Sequence, residues 1–105
     1  MLAIYSVALQ LVRDMKPLCE QVARSDPDHA RQMRKAYKAV PLLIAEGCGS
    51  RGRNRKARYN LALGEARELS ACVDVAIADG ILDAVDDAVL DRLDRVQRTL
   101  NRLSR

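Results

Sequence analysis

The residues best equipped for chemistry sit in one stretch, residues 45–60, which reads AEGCGSRGRNRKARYN. It contains Gly47, Gly49 and Gly52 together with Arg51, Arg53, Arg55, Lys56 and Arg58, against a single acid, Glu46. Glycines bare the backbone N–H groups, and guanidinium and ammonium groups bind oxyanions, so the chemistry on offer is phosphate binding. The glycine spacing matches G-x-G-x-x-G. That fingerprint requires a preceding strand inside a βαβ unit. Here AVPLLIAE precedes it and keeps a helical pattern. A dinucleotide grip is therefore not expected, and two readings compete: a solvated connector between helices and a site for a phosphate backbone.

Other catalytic constellations are missing from the sequence. His29 is the only histidine, with no second histidine or cysteine at metal-ligand spacing, and it reads as a surface residue. Cys19, Cys48 and Cys72 are odd in number and fit neither a zinc site nor a disulfide framework. Free thiols in a reducing cytosol follow. No Glu-x-x-His pairs of the di-metal bundles, no Gly-x-Ser-x-Gly elbow and no Walker sequence occur. The chain reads as a non-enzyme without a cofactor or metal.

The elements that must position the basic stretch follow from composition and period. With 105 residues, 49% of them hydrophobic, the chain suits one domain with one core. Phe and Trp are absent, so aliphatic residues must build that core, which favours helices. The first apolar run is cut by Arg13 and Asp14 and has no basic leader, so it reads neither as a signal peptide nor as a membrane span. A cytoplasmic protein is expected.

Apolar steps of three and four predict helices over about 2–24, 27–47, 54–79 and 83–103. In the first, Tyr5, Ala8, Val12, Met15, Cys19 and Val22 make one stripe, while Ile4, Val7, Leu11 and Leu18 make a second. Two apolar sides suggest either a wide core face or a surface for another subunit. Pro17 and Pro41 should kink the first two helices or remove a hydrogen bond from each. Ser25-Asp26-Pro27 starts the second helix, Asn54 is the expected cap of the third, Gly80 its stop, and Asp83 the cap of the fourth. Gly64 reads as a close-packing position. Four helices with short connections give an all-α, antiparallel up-down-up-down bundle.

Charge is uneven along this frame. Net charge is +4, with the excess mid-chain. Arg31, Arg34, Lys35 and Lys38 fall on one outer face of the second helix, either as a solvated face or as a second anion-binding surface. Arg51, Arg53, Arg55, Lys56 and Arg58 crowd a helix start, where the dipole prefers acids. An external phosphate would reverse that cost. No aromatic interleaves these cations except Tyr59, which belongs to the inner stripe, so base stacking is not the expected mode. In the fourth helix, acids early and Arg95, Arg98, Arg102 and Arg105 late complement the dipole and read as structural.

From Val40-Pro41 through Ile44-Ala45-Glu46-Gly47, Tyr59, Leu61-Ala62-Leu63-Gly64, Glu68-Leu69, and then Ala76, Gly80 and Leu82, the sequence resembles a known family. These are the four-helix-bundle proteins first noted in intervening sequences of 23S rRNA genes. Their pattern usually has Asn where this chain has Leu43 and Ser where it has Glu65. The resemblance implies a homo-oligomer, often a pentameric ring. It extends to the accessory variability factor of diversity-generating retroelements, a basic pentameric barrel that binds nucleic acid and a reverse transcriptase. The expectation is a homo-oligomeric accessory protein that binds RNA or DNA through its basic residues. The alternative is an oligomeric protein-interaction scaffold without nucleic-acid affinity.

Overall fold

The computed structural model describes residues 2–105, and these form four helices: α1 (Ala3–Ser25), α2 (Pro27–Cys48), α3 (Gly52–Ala78) and α4 (Asp87–Leu103). α2 packs on α1 and most extensively on α3, and α4 closes the bundle against α3 and α1. The up-down-up-down arrangement is the expected one. The molecule is elongated, 42 × 25 × 19 Å.

One aliphatic core runs its length, and the largest fully buried side chains include Leu11, Met15, Met33, Ile44, Leu69 and Leu100. The two stripes of α1 merge into this core. Ile4 and Leu11 are buried with Ala8, Met15, Cys19 and Val22, while Tyr5, Val7, Val12 and Leu18 pack against them half-buried. The wide core face is thus the outcome on α1. Its second stripe is largely consumed inside the chain.

Boundaries differ from expectation at two helix starts. α3 begins at Gly52, with Arg51 in the capping position and no side-chain cap, because Gly52 takes a left-handed φ of +58° that reverses the chain early. Asn54 lies inside the helix and caps nothing. α4 begins at Asp87 because Asp86, not Asp83, caps it, its carboxylate accepting from the Ala88 N–H at 3.1 Å. The preceding segment is not helical, and burial of Leu82 and Val85 ties it to the core. Leu82 and Val85 thus fit a helical period without being helical. Gly80 stops α3 as expected, at φ +77°, with the Ile81 N–H bonded back to the Ala76 carbonyl at 2.9 Å.

Both prolines sit within uninterrupted helices. Pro17 is exposed, so water can serve the carbonyl whose donor it removes. The expected capping of α2 holds: Asp26 accepts from the His29 N–H at 3.1 Å and Pro27 occupies the first turn. His29 itself is not a free surface residue. It is half-buried, and its Nε2 lies 2.8 Å from the Cys72 carbonyl oxygen, tying α2 to α3.

Across the bundle, Arg92 of α4 makes a two-pronged ion pair with Asp14 of α1, at 2.7 and 2.9 Å. Asp14 is only 9% exposed, so this pair is better sheltered than the others, which stand in solvent. It sets the fit of α4 against α1.

Candidate functional site

The turn between α2 and α3 is shorter than the sequence suggests. Only Gly49, Ser50 and Arg51 lie between the helices. Arg53, Arg55, Lys56 and Arg58 are therefore helical residues in the first two turns of α3, all exposed, rather than parts of a mobile arm. The turn is held internally. Ser50 Oγ donates to the Glu46 carbonyl at 2.8 Å, and Arg55 Nε donates to the Ser50 carbonyl at 2.9 Å. Arg58 reaches Glu46 at 3.5 Å, an exposed and loose pair. Arg51, Arg53 and Lys56 form no ion pair among the described residues.

The glycines divide their duties. Gly47 is buried inside α2, and a Cβ there would lie 2.8 Å from Cδ1 of Tyr59 and closer still to Cε1. The ring of Tyr59 occupies the space that the missing side chain leaves. Gly52 supplies the left-handed reversal. The fingerprint-like spacing therefore serves packing and turning, and no strand precedes it among the described residues.

Topology brings further cations to this end. α1 starts, α2 ends, α3 starts and α4 ends at the same pole. Leu2 marks it: one cleft of about 310 Å³ is lined by Leu2, Cys48, Arg55 and Tyr59, and another of about 290 Å³ by Leu2, Ile4, Arg95, Thr99, Arg102 and Leu103. The α3 cations and the late arginines of α4 thus share one end of the molecule. Arg98 is paired to Asp94 at 2.9 Å in solvent, and Arg95 and Arg102 have no acid within reach. The opposite pole gathers Asp26, Asp28, Asp79, Asp83, Asp86 and Asp87, at or beside the other helix ends. Charge is polarised along the long axis.

The second predicted set does not join this pole. Arg31, Arg34, Lys35 and Lys38 occupy the first half of α2, and Lys38 stands about 18 Å along the axis from Ser50, at 1.5 Å per residue. The set also splits. Arg34 and Lys38 line a cleft of about 340 Å³ between α1 and α2, with Lys16, Glu20 and Tyr37. Arg31 pairs with Asp28 at 2.8 Å, and Lys35 lies near Glu65 of α3. The four cations therefore do not form one uninterrupted strip. The residues that sequence reading missed at the pole are those of α4. Their signal was available: in an up-down-up-down bundle the end of the fourth helix returns to the second turn.

The titratable groups inside the bundle offer no nucleophile. Burial pushes the Cys19 and Cys72 thiols above their ordinary range, so both stay protonated. Burial likewise raises the Tyr37 and Tyr59 hydroxyls. No cluster of potential metal ligands occurs among the described residues, and no described helix is long and apolar enough to cross a membrane.

Glu65, where the family pattern has Ser, is half-buried with Oε2 fully enclosed and unpartnered. Burial raises its pKa above the ordinary carboxyl range, and hydrogen bonding and repulsion from neighbouring Glu68 add to this. A carboxyl whose folded pKa exceeds its unfolded value holds its proton more firmly when folded. Its effect on stability is neutral below the unfolded pKa and becomes unfavourable as pH rises through the folded one. Thermal melts from pH 4 upward are expected to show a loss of stability that Glu65→Gln flattens. The variant should melt higher than the parent at pH 7 and equal it near pH 4. Leu43, where the pattern has Asn, packs half-buried against the core.

The sequence model of the family described as 23S rRNA-intervening sequence protein matches residues 1–102. No curated protein and no solved structure matches the chain.

Proposed function

The chain belongs to that family, and from this premise we propose that it is a non-enzymatic, homo-oligomeric accessory protein of the cytoplasm that binds the phosphate backbone of RNA or DNA through its basic pole. The observation that carries the reading is that the start of α3, whose Arg55 lines a cleft beside Leu2 and whose Arg51, Arg53, Lys56 and Arg58 are exposed, shares its pole with Arg95 and Arg102, which line the other cleft beside Leu2. At this pole the first N–H groups of α3 lack a side-chain cap. Uncapped N–H groups, the positive end of a helix dipole and unpaired guanidinium groups together suit a phosphate. No aromatic ring stands fully exposed there, since Tyr59 is buried and Tyr5 is half-buried against the core, which favours backbone contact over base reading.

Titration of labelled single-stranded RNA and duplex DNA at about 50 and 200 mM salt tests the reading. Contacts with about 6–10 phosphates lower affinity by roughly 10³–10⁵ over that interval. Absence of binding at the lower salt would overturn it and leave the scaffold alternative. That alternative draws on a different observation, the exposure of Leu61 and Val75 on the outer side of α3, which the same assay leaves untouched.

A further inference from the structure

The cleft of about 340 Å³ between α1 and α2 stands apart from the basic pole. Lys16 and Glu20 of α1 line it from one side, Arg34 and Lys38 of α2 from the other, with Cys19 and Tyr37 beneath. The members of each pair are four residues apart and so lie on one side of their helix. The charges of Arg34, Lys38 and Glu20 all bear on the Cys19 thiol, so their heads gather over one spot. Lys16, Arg34 and Lys38 form no ion pair among the described residues, and neither does Glu20. Three cations against one carboxylate leave the cleft with two positive charges in excess. The floor cannot offset them. Cys19 is buried, its S–H donates to the Ala30 carbonyl at 3.2 Å, and burial keeps both this thiol and the Tyr37 hydroxyl protonated. Like charges around a concave wall of low dielectric reinforce one another's field.

We infer that this cleft binds the phosphate monoester group of a small molecule, held by Lys16, Arg34 and Lys38. Charge fits first. A phosphate monoester carries about −1.5 to −2 at pH 7, which matches the excess in the cleft. Its three acceptor oxygens suit one guanidinium fork and two ammonium groups. The Tyr37 hydroxyl lies beside Arg34 and, being protonated, can donate as well. Size fits next. The cleft falls at the lower end of the ~300–1,000 Å³ of small-molecule sites. That leaves room for a phosphate and a modest organic body, which Val12 and the Tyr37 ring would face. A polymer backbone fits less well. Glu20 would confront its next phosphate, and no cationic track leads onward, since Arg31 is paired with Asp28 and Lys35 lies near Glu65. The site therefore selects one dianion rather than a chain of single charges.

Calorimetric titration of the full chain with phenyl phosphate tests the inference. Benzenesulfonate, which keeps the ring but carries a single charge, is the control at equal ionic strength. Saturable binding of phenyl phosphate with a Kd of about 1 mM or tighter is expected, with the sulfonate at least about tenfold weaker. Equal affinity for the two, or no saturation by about 10 mM phenyl phosphate, overturns the site. Arg34→Gln/Lys38→Gln should lower the affinity about tenfold. Both side chains are exposed, so the melting temperature should stay near that of the parent. Glu20→Gln removes the one repulsive charge and should tighten binding several-fold, an effect that loss of structure would not produce. Binding that neither variant changes overturns the placement in this cleft. The result is separable from the fate of the basic pole. Replacing Arg51, Arg53, Arg55, Lys56 and Arg58 with Ala should leave phenyl phosphate binding intact, and its loss in that variant would overturn the cleft. A chain that binds phenyl phosphate but no RNA keeps the cleft and loses the pole.

Discussion

Replacing Arg51, Arg53, Arg55, Lys56 and Arg58 with Ala is expected to weaken RNA binding by close to a hundredfold at low salt. Exposed ion pairs contribute roughly 0.5 kcal/mol each, and five of them give about 2.5 kcal/mol, near two powers of ten. The logarithmic salt dependence should become shallower by about 0.7 per lost contact on a single strand. The informative companion is Arg95→Gln/Arg102→Gln/Arg105→Gln, which leaves the α2–α3 turn untouched. If the pole is one surface, this variant also loses affinity and salt dependence, although its substitutions lie about forty residues downstream in the sequence. Glutamine keeps helix propensity, and any loss at the α4 dipole is seen separately by thermal melting. Fluorescence anisotropy with one RNA across the three proteins decides. Unchanged binding in the α4 variant would confine the interface to α3, and unchanged binding in the α3 variant would remove the pole from consideration.

The second large effect is expected from a single methyl group. Gly47→Ala would thrust a Cβ into the ring of Tyr59, which is 4% exposed and has its hydroxyl 3.6 Å from the Cys48 sulfur. A rigid ring under core residues cannot swing aside as a flexible chain end would. Overpacking of this kind costs about 1–3 kcal/mol, against which alanine recovers up to about 1 kcal/mol of helix propensity. The net loss should lower the melting temperature by on the order of 10 °C. Tyr59→Leu should relieve the clash, so the double variant is expected to be more stable than the sum of the single losses implies. Gly64→Ala provides the contrast: Gly64 is also helical, mid-way along α3, but has open space around it, and the variant should melt above the parent. Should Gly47→Ala melt at or above the parent temperature, the ring does not depend on that glycine.

The architecture was legible because the helical period is strong where the core is. Met33, Val40 and Ile44 in α2, or Val89, Leu93, Val96 and Leu100 in α4, leave little room for another fold. The start of α3 was not legible. Asn54 is the better capping residue by type, and only the backbone reveals that Gly52 turns the chain two residues earlier. A similar limit explains Asp83 and Asp86, two plausible caps three residues apart that are separated by where Val85 is buried. Half of the candidate site could be read directly, since its cations are contiguous at residues 51–58. The arginines of α4 were read as partners of their own helix dipole, because convergence at a pole belongs to topology rather than to any single segment. Gly64 was read as an internal packing residue. Helical position alone gives no sign of which side of a helix faces out, and here it is the outer one.

The separation of acids and bases along the 42 Å axis acts before any contact forms. A body with opposite charge at its two ends experiences a torque in the field of a polyanion. It turns its Arg51 end forward while still within about a Debye length, roughly 10 Å at 0.1 M salt. A larger fraction of diffusive encounters then begins in the right orientation. On this account the distant aspartates beside α2 and α4 contribute to association speed without ever touching the ligand.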